Sequence, residues 1–305
     1  PRSVDDVVAT VRYAAENHLP IHARGAGTGL AGESLGRGLV LDFSRYFRRI
    51  QADEGDRIRV QSGVVLASLN RYLARTGRLF GPDPAMWNVT TMGSVVAIDA
   101  GGSHWHRYGS TRAHVAELEI VLADGTLLQV GRHPVNELLR EEGELPQFSD
   151  ADVVEHRREQ LVHSVASLIQ RHARIIVNNK PQSLVNRSGY RLDDVLVDGQ
   201  LDLAKTLVGS EGTLALITAA PLTVDSLPLH RGCVLLLFDS LEKAAHAVLE
   251  LAPLKPVACD LMDRRHMNLA RDTDIRYELI IPGEAEAVLL VEQYADSADD
   301  LRAKL

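Results

Sequence analysis

Arg24-Gly25-Ala26-Gly27-Thr28-Gly29, directly after the short apolar run Leu19-Pro20-Ile21, is the stretch on which the reading of this chain turns. Three glycines at alternate positions remove Cβ atoms, so backbone amides can converge on an anion, while Arg24 and Thr28 add a guanidinium fork and a hydroxyl. A lone glycine cluster is most often an ordinary turn, so other segments must decide. The stretch also contains Gly27-x-Gly29-x-x-Gly32, a dinucleotide fingerprint that needs a strand before it and a helix after it. After Gly32, however, Glu33-Ser34-Leu35-Gly36-Arg37-Gly38 lead into Leu39-Val40-Leu41, and two more glycines in six residues argue against a helix. The expectation is strand, phosphate loop, strand, without a Rossmann crossover.

At 305 residues, with 45% apolar and 24% charged side chains, the composition is that of a globular protein with room for one large or two medium domains. A net charge of -8 leaves no broad basic surface for nucleic acid or anionic membrane, so an anionic ligand must be held locally. No apolar run approaches the roughly 20 residues needed to span a bilayer, and no signal peptide is read. Cys233 and Cys259 are too few for a disulfide framework or a cysteine metal site, and they read as buried free thiols of a reducing cytoplasm. The chain opens at Pro1 with its first helix almost at once, which reads as a piece of something longer.

Ser3 and Asp6 form a capping box ahead of Val4, Val7, Val8, Val11 and Ala15, apolar positions at helical spacing. Strands are expected at Leu39 to Phe43 and Ile58 to Val60, then a helix with Leu66, Leu69 and Leu73 inward, stopped at Gly77. Pro82-Asp83-Pro84 is a stiff connector. The small-residue segment from Thr91-Met92-Gly93-Ser94 to Gly101-Gly102-Ser103 reads as a second glycine-bearing loop, before a hairpin over Leu118 to Val130 that turns at Asp124-Gly125. Residues 133–160 form a charged surface insertion, with Glu137, Glu141, Glu142, Glu144, Asp150, Asp152 and Glu155, and lead into a helix through Leu161, Val165, Leu168 and Ile169. A third glycine loop, Gly209-Ser210-Glu211-Gly212-Thr213, precedes the buried strand Leu214 to Ile217. After Pro228 come a strand (Cys233 to Phe238), a helix (Leu241 to Leu251) and two strands (Val257 to Met262, Ala287 to Val291). The domain boundary is placed near residue 226.

Four segments in this order, Arg24 to Gly29, Pro82-Asp83-Pro84, Thr91-Met92-Gly93-Ser94 and Gly209 to Leu214, resemble the FAD-binding domain of the vanillyl-alcohol oxidase and p-cresol methylhydroxylase superfamily. The likeness is greatest to its D-lactate, glycolate and D-2-hydroxyglutarate dehydrogenases, particularly large bacterial members that fuse the flavin portion to an iron-sulfur region. The resemblance implies an α+β, two-subdomain FAD-binding fold over residues 1–226, followed over 227–305 by the first part of a ferredoxin-like substrate cap. It also assigns roles. Arg24, Gly25, Ala26, Gly27, Thr28 and Gly29 would hold the pyrophosphate. Pro82, Asp83, Thr91, Met92, Gly93 and Ser94 would line the flavin and ribityl chain, a wall continued by Gly102, Ser103, Tyr108 and Gly109. Glu211, Gly212 and Ile217 would contact the adenosine and ribityl side.

The departures from the family pattern are specific. Ser94 and Asp99 stand where relatives carry a second glycine and asparagines, and Glu33 stands where a small residue is common. Thr28 occupies the place of the histidine that carries FAD covalently in some relatives, so the cofactor is expected to be non-covalent. The C-terminal histidine and glycine-rich motif that supplies the catalytic base, and in some members metal ligands, has no counterpart before Leu305, and the catalytic residues are expected beyond it.

Three further groups carry side chains suited to a ligand. His104 and His106, in Ser103-His104-Trp105-His106, have the spacing of a metal pair but no third ligand nearby, so the loop is read as packing on the isoalloxazine edge. Asn186-Arg187-Ser188-Gly189-Tyr190 resembles a family segment near the flavin where Arg187 or Tyr190 would meet a carboxylate, an ordinary turn being the alternative. Asp263-Arg264-Arg265-His266 reads as a solvated charge run.

The resemblance implies hydride transfer from the α-carbon of a small D-2-hydroxy acid to flavin N5. Electrons would leave to an iron-sulfur region, quinone or carrier, with cytoplasmic location and contact with the inner membrane only through that acceptor. The alternatives are a non-redox flavoenzyme resembling alkyl-dihydroxyacetone-phosphate synthase and a flavin-binding subunit without catalysis of its own.

Overall fold

A computed structural model describes residues 1–135, 150–183, 185–186 and 188–305. Glu137, Glu141, Glu142, Glu144 and Arg187, and the side chains of Asp150 and Asp152, lie outside the described residues. The chain forms two compact units. The first comprises Pro1–Phe80, Pro84–Ala100 and Ser110–Asp225, and the second Gly81–Asp83, Gly101–Gly109 and Ser226–Leu305.

The first unit contains two cores. Helix Val4–Glu16 starts at the expected capping box, with Asp6 N donating to Ser3 Oγ at 3.2 Å and Ser3 N to the Asp6 carboxylate at 3.3 Å. Its Val7 and Val11 pack on Leu41, Phe43 and Phe47, over the pair of strands Ile21–Arg24 and Leu39–Asp42. These two strands are parallel and in register from Ile21 opposite Leu39 to Arg24 opposite Asp42. The connection between them, residues 25–38, contains no helix, as the glycine spacing implied.

The larger core lies on a five-stranded antiparallel sheet ordered Ile50–Asp53, Arg57–Gln61, Leu216–Thr223, Leu118–Val121, Leu127–Val130. The last two strands are the expected hairpin, closed by Gly125 N donating to Leu122 O at 2.9 Å. Leu66, Leu69 and Leu73 of helix Leu66–Leu73 are fully buried in this core, together with Val162, Ala166 and Ile169 of helix Asp150–Arg171.

One expectation is corrected. Residues Met92–Ala97, read as part of a glycine-bearing loop, form a helix that buries Met92, Val95 and Val96. Those three positions have the i, i+3, i+4 spacing of a helical face, which Gly93 and Ser94 disguise. Gly93 is there for packing: its N donates to Ser62 O at 2.7 Å, and a Cβ would lie 2.7 Å from that of Ser62.

In the second unit three antiparallel strands are ordered His230–Phe238, Ala287–Ala295, Ala258–Asp263. The first and last of these are parallel to each other and joined through helix Leu241–Leu251, with the later strand inserted between them, a split β-α-β arrangement. Ala244 of that helix packs on Ala287, Leu289 and Val291, while Met267 packs with Ile281, Ala285 and Val288. Met267 belongs to helix Arg264–Thr273, which the charge run concealed; the Asp263 carboxylate caps it by accepting from His266 N at 2.8 Å. Helix Ala298–Lys304 was also missed, although Ser297-x-x-Asp300 repeats the signature read at Ser3.

Leu69→Ala is expected to lower the unfolding free energy by about 2–5 kcal/mol, because the cavity lies in a core with no route to solvent. Urea denaturation checks this, and a loss below about 1 kcal/mol would contradict the assigned core.

Candidate functional site

Strand Ile21–Arg24 carries Arg24 to the mouth of a cleft in the first unit, and the chain then turns through the glycines. The cleft is lined on this side by Arg24, Gly25, Gly27, Thr28 and Gly29. Gly25 lies so close to the start of the Met92–Ala97 helix that a Cβ there would collide with the hydroxyls of Thr91 and Ser94, which are 3.1 Å from each other. Gly27 has φ +71°, a conformation that disfavours side chains, and the Arg24 guanidinium folds to within 2.8 Å of where its Cβ would be. Thr28 donates to Thr90 Oγ1 at 3.3 Å.

The opposite wall holds Glu211, Gly212, Ala215 and Ile217 beside Ala97 and Ile98. Gly209 N and Glu211 N donate to Val96 O and Ala97 O, at 3.1 and 2.9 Å, so the third glycine loop is pinned to the end of the same short helix. Of the residues singled out from sequence, the cleft thus gathers Arg24, Gly25, Gly27, Thr28, Gly29, Thr91, Gly93, Ser94, Glu211, Gly212 and Ile217. Met92 turns its side chain into the core instead. Asp99, at the family's asparagine position, is buried, and its carboxylate accepts from Arg112 N at 2.9 Å. Tyr190 hydrogen-bonds the Thr213 hydroxyl at 2.8 Å, and Asn186 closes a local turn by accepting from Ser188 N at 3.0 Å.

Two cleft residues escaped sequence reasoning, and both carry an orphaned polar atom. Ser62 Oγ and Glu33 Oε2 are buried without a hydrogen-bond partner. Buried polar atoms are rarely left unpaired, so such atoms in a cleft mark where a polar ligand completes the bonding. The signal for Ser62 was its place two residues past the expected strand Ile58 to Val60, ahead of Gly63; that for Glu33 was its departure from the family pattern. The cleft has a volume of 70 Å³, room for roughly five waters. The Arg24 guanidinium and the Thr28, Thr91 and Ser94 hydroxyls suit phosphate oxygens, whereas Glu33, beside Gly29, suits a hydroxyl donor.

Pro82, Asp83, Gly102, Ser103, Tyr108 and Gly109 belong to the second unit. There Asp83 is a partner of His104: its carboxylate takes the His104 Nδ1 and, at 3.2 Å, the His104 backbone N. His104 Nε2 lies 3.0 Å from both the Glu292 carboxylate and the Tyr294 hydroxyl. Held chiefly by Asp83, and against the opposing effect of burial, the His104 pKa is raised to about 9, with Glu292 adding to the shift. Burial, followed by the nearby Tyr108 and Glu292, pushes Tyr294 up to about 12. His106 packs against Trp105 instead, with ring centroids 4.0 Å apart, and among the described residues no group of three His, Cys, Asp or Glu side chains is arranged to hold a metal.

Residues 1–131 match the family model described as FAD binding domain, and residues 227–305 the one described as FAD linked oxidases, C-terminal domain. The chain is 32% identical over 280 residues to D-2-hydroxyglutarate dehydrogenase of Escherichia coli K12, covering 89% of this chain and 26% of that protein. It is 27% identical to D-lactate dehydrogenase of Archaeoglobus fulgidus, over 98% of this chain and 54% of that one. It is likewise 27% identical to glycolate oxidase subunit GlcD of Bacillus subtilis, over 96% and 50%. The chain therefore spans about a quarter of the first relative and about half of the other two. A solved structure of alkyldihydroxyacetonephosphate synthase superposes with TM-score 0.64 at 15% identity, over the whole of this chain and 48% of that one, which shows a shared fold. The cofactor is FAD. The slot fits it: glycines at which a Cβ would obstruct the cleft, a guanidinium across them and two unpaired polar atoms are complementary to a pyrophosphate flanked by sugar hydroxyls.

The His104 shift has a testable sign. A histidine whose pKa is raised on folding stabilises fully below its unfolded value near 6.5, and that contribution is lost as pH rises through about 9. The NMR titration of His104 is expected to have its midpoint near 9 and to move down in Asp83→Asn; a midpoint near 6.5 in the unaltered protein would contradict the charged pair.

Proposed function

We propose that this chain, whose residues 1–131 match FAD binding domains and whose residues 227–305 match the C-terminal domain of FAD linked oxidases, is the flavin-binding portion of a dehydrogenase that oxidises a small D-2-hydroxy acid. The observation that carries the reading is the pair of orphaned polar atoms, Ser62 Oγ and Glu33 Oε2, inside a glycine-walled cleft of the portion matched to FAD binding domains. The substrate class is supported by the relatives' names, which cover D-2-hydroxyglutarate, D-lactate and glycolate, all 2-hydroxy acids.

In this reading the amides of Arg24 to Gly29 hold the pyrophosphate, with Arg24 neutralising its charge and Thr91 and Ser94 donating hydroxyls. Met92 and Gly93 take part through the backbone. Ser62 and Glu33 meet hydroxyls of the sugar and ribityl chain. Glu211, Gly212 and Ile217 pack on the adenosine side. For Pro82, Gly102, Ser103, Tyr108 and Gly109, flavin contact is proposed on the resemblance alone, and Asp83 acts through His104. The division into an FAD-binding domain to residue 226 and a substrate cap after it is part of the same proposal. Two free cysteines favour a cytoplasmic setting.

Bound FAD supplies a two-electron acceptor for hydride from the substrate α-carbon. Oxidation to the 2-oxo acid also releases the hydroxyl proton, which needs a base within hydrogen-bond reach. His104, with its pKa raised to about 9 and both ring nitrogens engaged, is protonated at neutral pH and is not that base. The electrons then pass to an iron-sulfur region, a quinone or a carrier.

The protein expressed from its own gene is expected to release all its yellow colour into the supernatant on acid precipitation, as non-covalent FAD does. Without oxygen, its flavin is expected to bleach with at least one of D-lactate, D-2-hydroxyglutarate and glycolate, and to stay oxidised with succinate, which has no 2-hydroxyl. Flavin that remains oxidised with all three hydroxy acids would overturn the substrate assignment, and flavin left in the protein pellet the non-covalent one.

A further inference from the structure

The second unit holds a cavity of 420 Å³ that none of these roles uses, within the range of about 300–1,000 Å³ typical of small-molecule sites. Its wall combines the basic side chains His106, Arg107 and Lys255 with the apolar Val248, Leu251 and Val257. No carboxylate lines it. Among the described residues, neither Arg107 nor Lys255 has a carboxylate within 4.0 Å, so the cavity gathers cationic side chains without internal counter-charges. The remaining polar lining group, Cys259, adds no negative charge: burial, with Asp260 nearby, pushes its thiol pKa up.

Arg107 and Lys255 are both exposed, but Arg107 is braced. Its guanidinium carbon lies 5.5 Å from the ring centroids of both Tyr108 and Tyr294. Tyr294 is in turn fixed by its hydroxyl on His104, which stacks on it at 5.7 Å and is clasped by Asp83 and Glu292. The clasp therefore holds the shelf on which the guanidinium rests, so that less side-chain entropy is lost when a planar anion binds. Lys255, also on the wall, is in a left-handed conformation (φ 49°, ψ 59°) directly after the short turn Ala252–Leu254. Such backbone costs of order 1 kcal/mol or more in a residue other than glycine, and strain of this kind collects at ligand sites.

We propose that this cavity binds a short aliphatic dicarboxylate, one carboxylate paired with Arg107, the other with Lys255, and the hydrocarbon between them on Val248, Leu251 and Val257. The site goes beyond the flavin reading and does not depend on it. Two separate cations favour two carboxylates over one, and the apolar wall favours a carbon chain over an inorganic anion.

Glutarate is the probe. Isothermal titration of the 305-residue chain at low salt is expected to show one glutarate bound, with ¹⁵N amide shifts centred on Arg107, Lys255 and Cys259. Arg107→Gln is expected to weaken binding at least tenfold and Lys255→Gln several-fold, each with unchanged flavin content as the check on folding. 1,5-Pentanediol, of the same length but uncharged, is expected not to bind, and inorganic phosphate to bind at least tenfold more weakly. No glutarate binding up to 20-fold excess over about 1 mM, shifts centred elsewhere, or binding untouched in both variants would overturn the site; phosphate binding as tightly as glutarate would overturn the dicarboxylate assignment. Absence of glutarate binding in the unaltered chain that retains FAD refutes this inference alone, whereas unaltered chain that binds glutarate but no FAD refutes the flavin reading alone.

Discussion

A contact without room for a Cβ organises the first unit: Gly25 lies against the Thr91 and Ser94 hydroxyls at the start of the Met92–Ala97 helix. That approach brings the turn after Arg24 up to a helix from a different core. The end of the same helix takes the Gly209 and Glu211 amides onto its last carbonyls. One six-residue helix therefore fixes both walls of the cleft, and the three glycine-bearing segments, far apart in sequence, owe their proximity to it. Gly93, packed on Ser62, serves the same end, because a side chain there would lift the helix off the strand beneath it.

The two units use polar groups differently. In the cleft, buried polar atoms remain unpaired and await a ligand. Around His104 in the second unit, charge is paired internally, with His104 between Asp83 and Glu292 and Tyr294 on the same ring nitrogen. Partly buried charges of this kind are costly unless well partnered. The clasp is accordingly read as a device that orients its neighbours, Tyr294 and through it Arg107, and not as a proton carrier.

Local signals were legible in the sequence. The Ser3 and Asp6 capping box, the Asp124-Gly125 hairpin and the glycine spacing that excluded a Rossmann helix each depend on neighbours within a few residues, and each is found as read. The Met92–Ala97 helix was hidden because Gly93 and Ser94 serve tertiary packing at the expense of helix propensity. Helix Arg264–Thr273 was hidden because it buries little beyond Met267 under a charged exterior. The His104 cluster was illegible for another reason: its partners Glu292 and Tyr294 are 188 and 190 residues away, and nothing in a single sequence couples them. Ser62 lies just past strand Arg57–Gln61, and its place in the cleft follows from its packing against Gly93, 31 residues on.

The central claim is that the amides of residues 25–29 face a pyrophosphate. A crystal structure of the chain with FAD tests it most directly. The account predicts phosphate oxygens within about 2.7–3.2 Å of backbone nitrogens in that loop, with Ser62 Oγ and the Glu33 carboxylate bonded to the cofactor. Phosphates seated elsewhere, with Ser62 and Glu33 still unpaired, would contradict it.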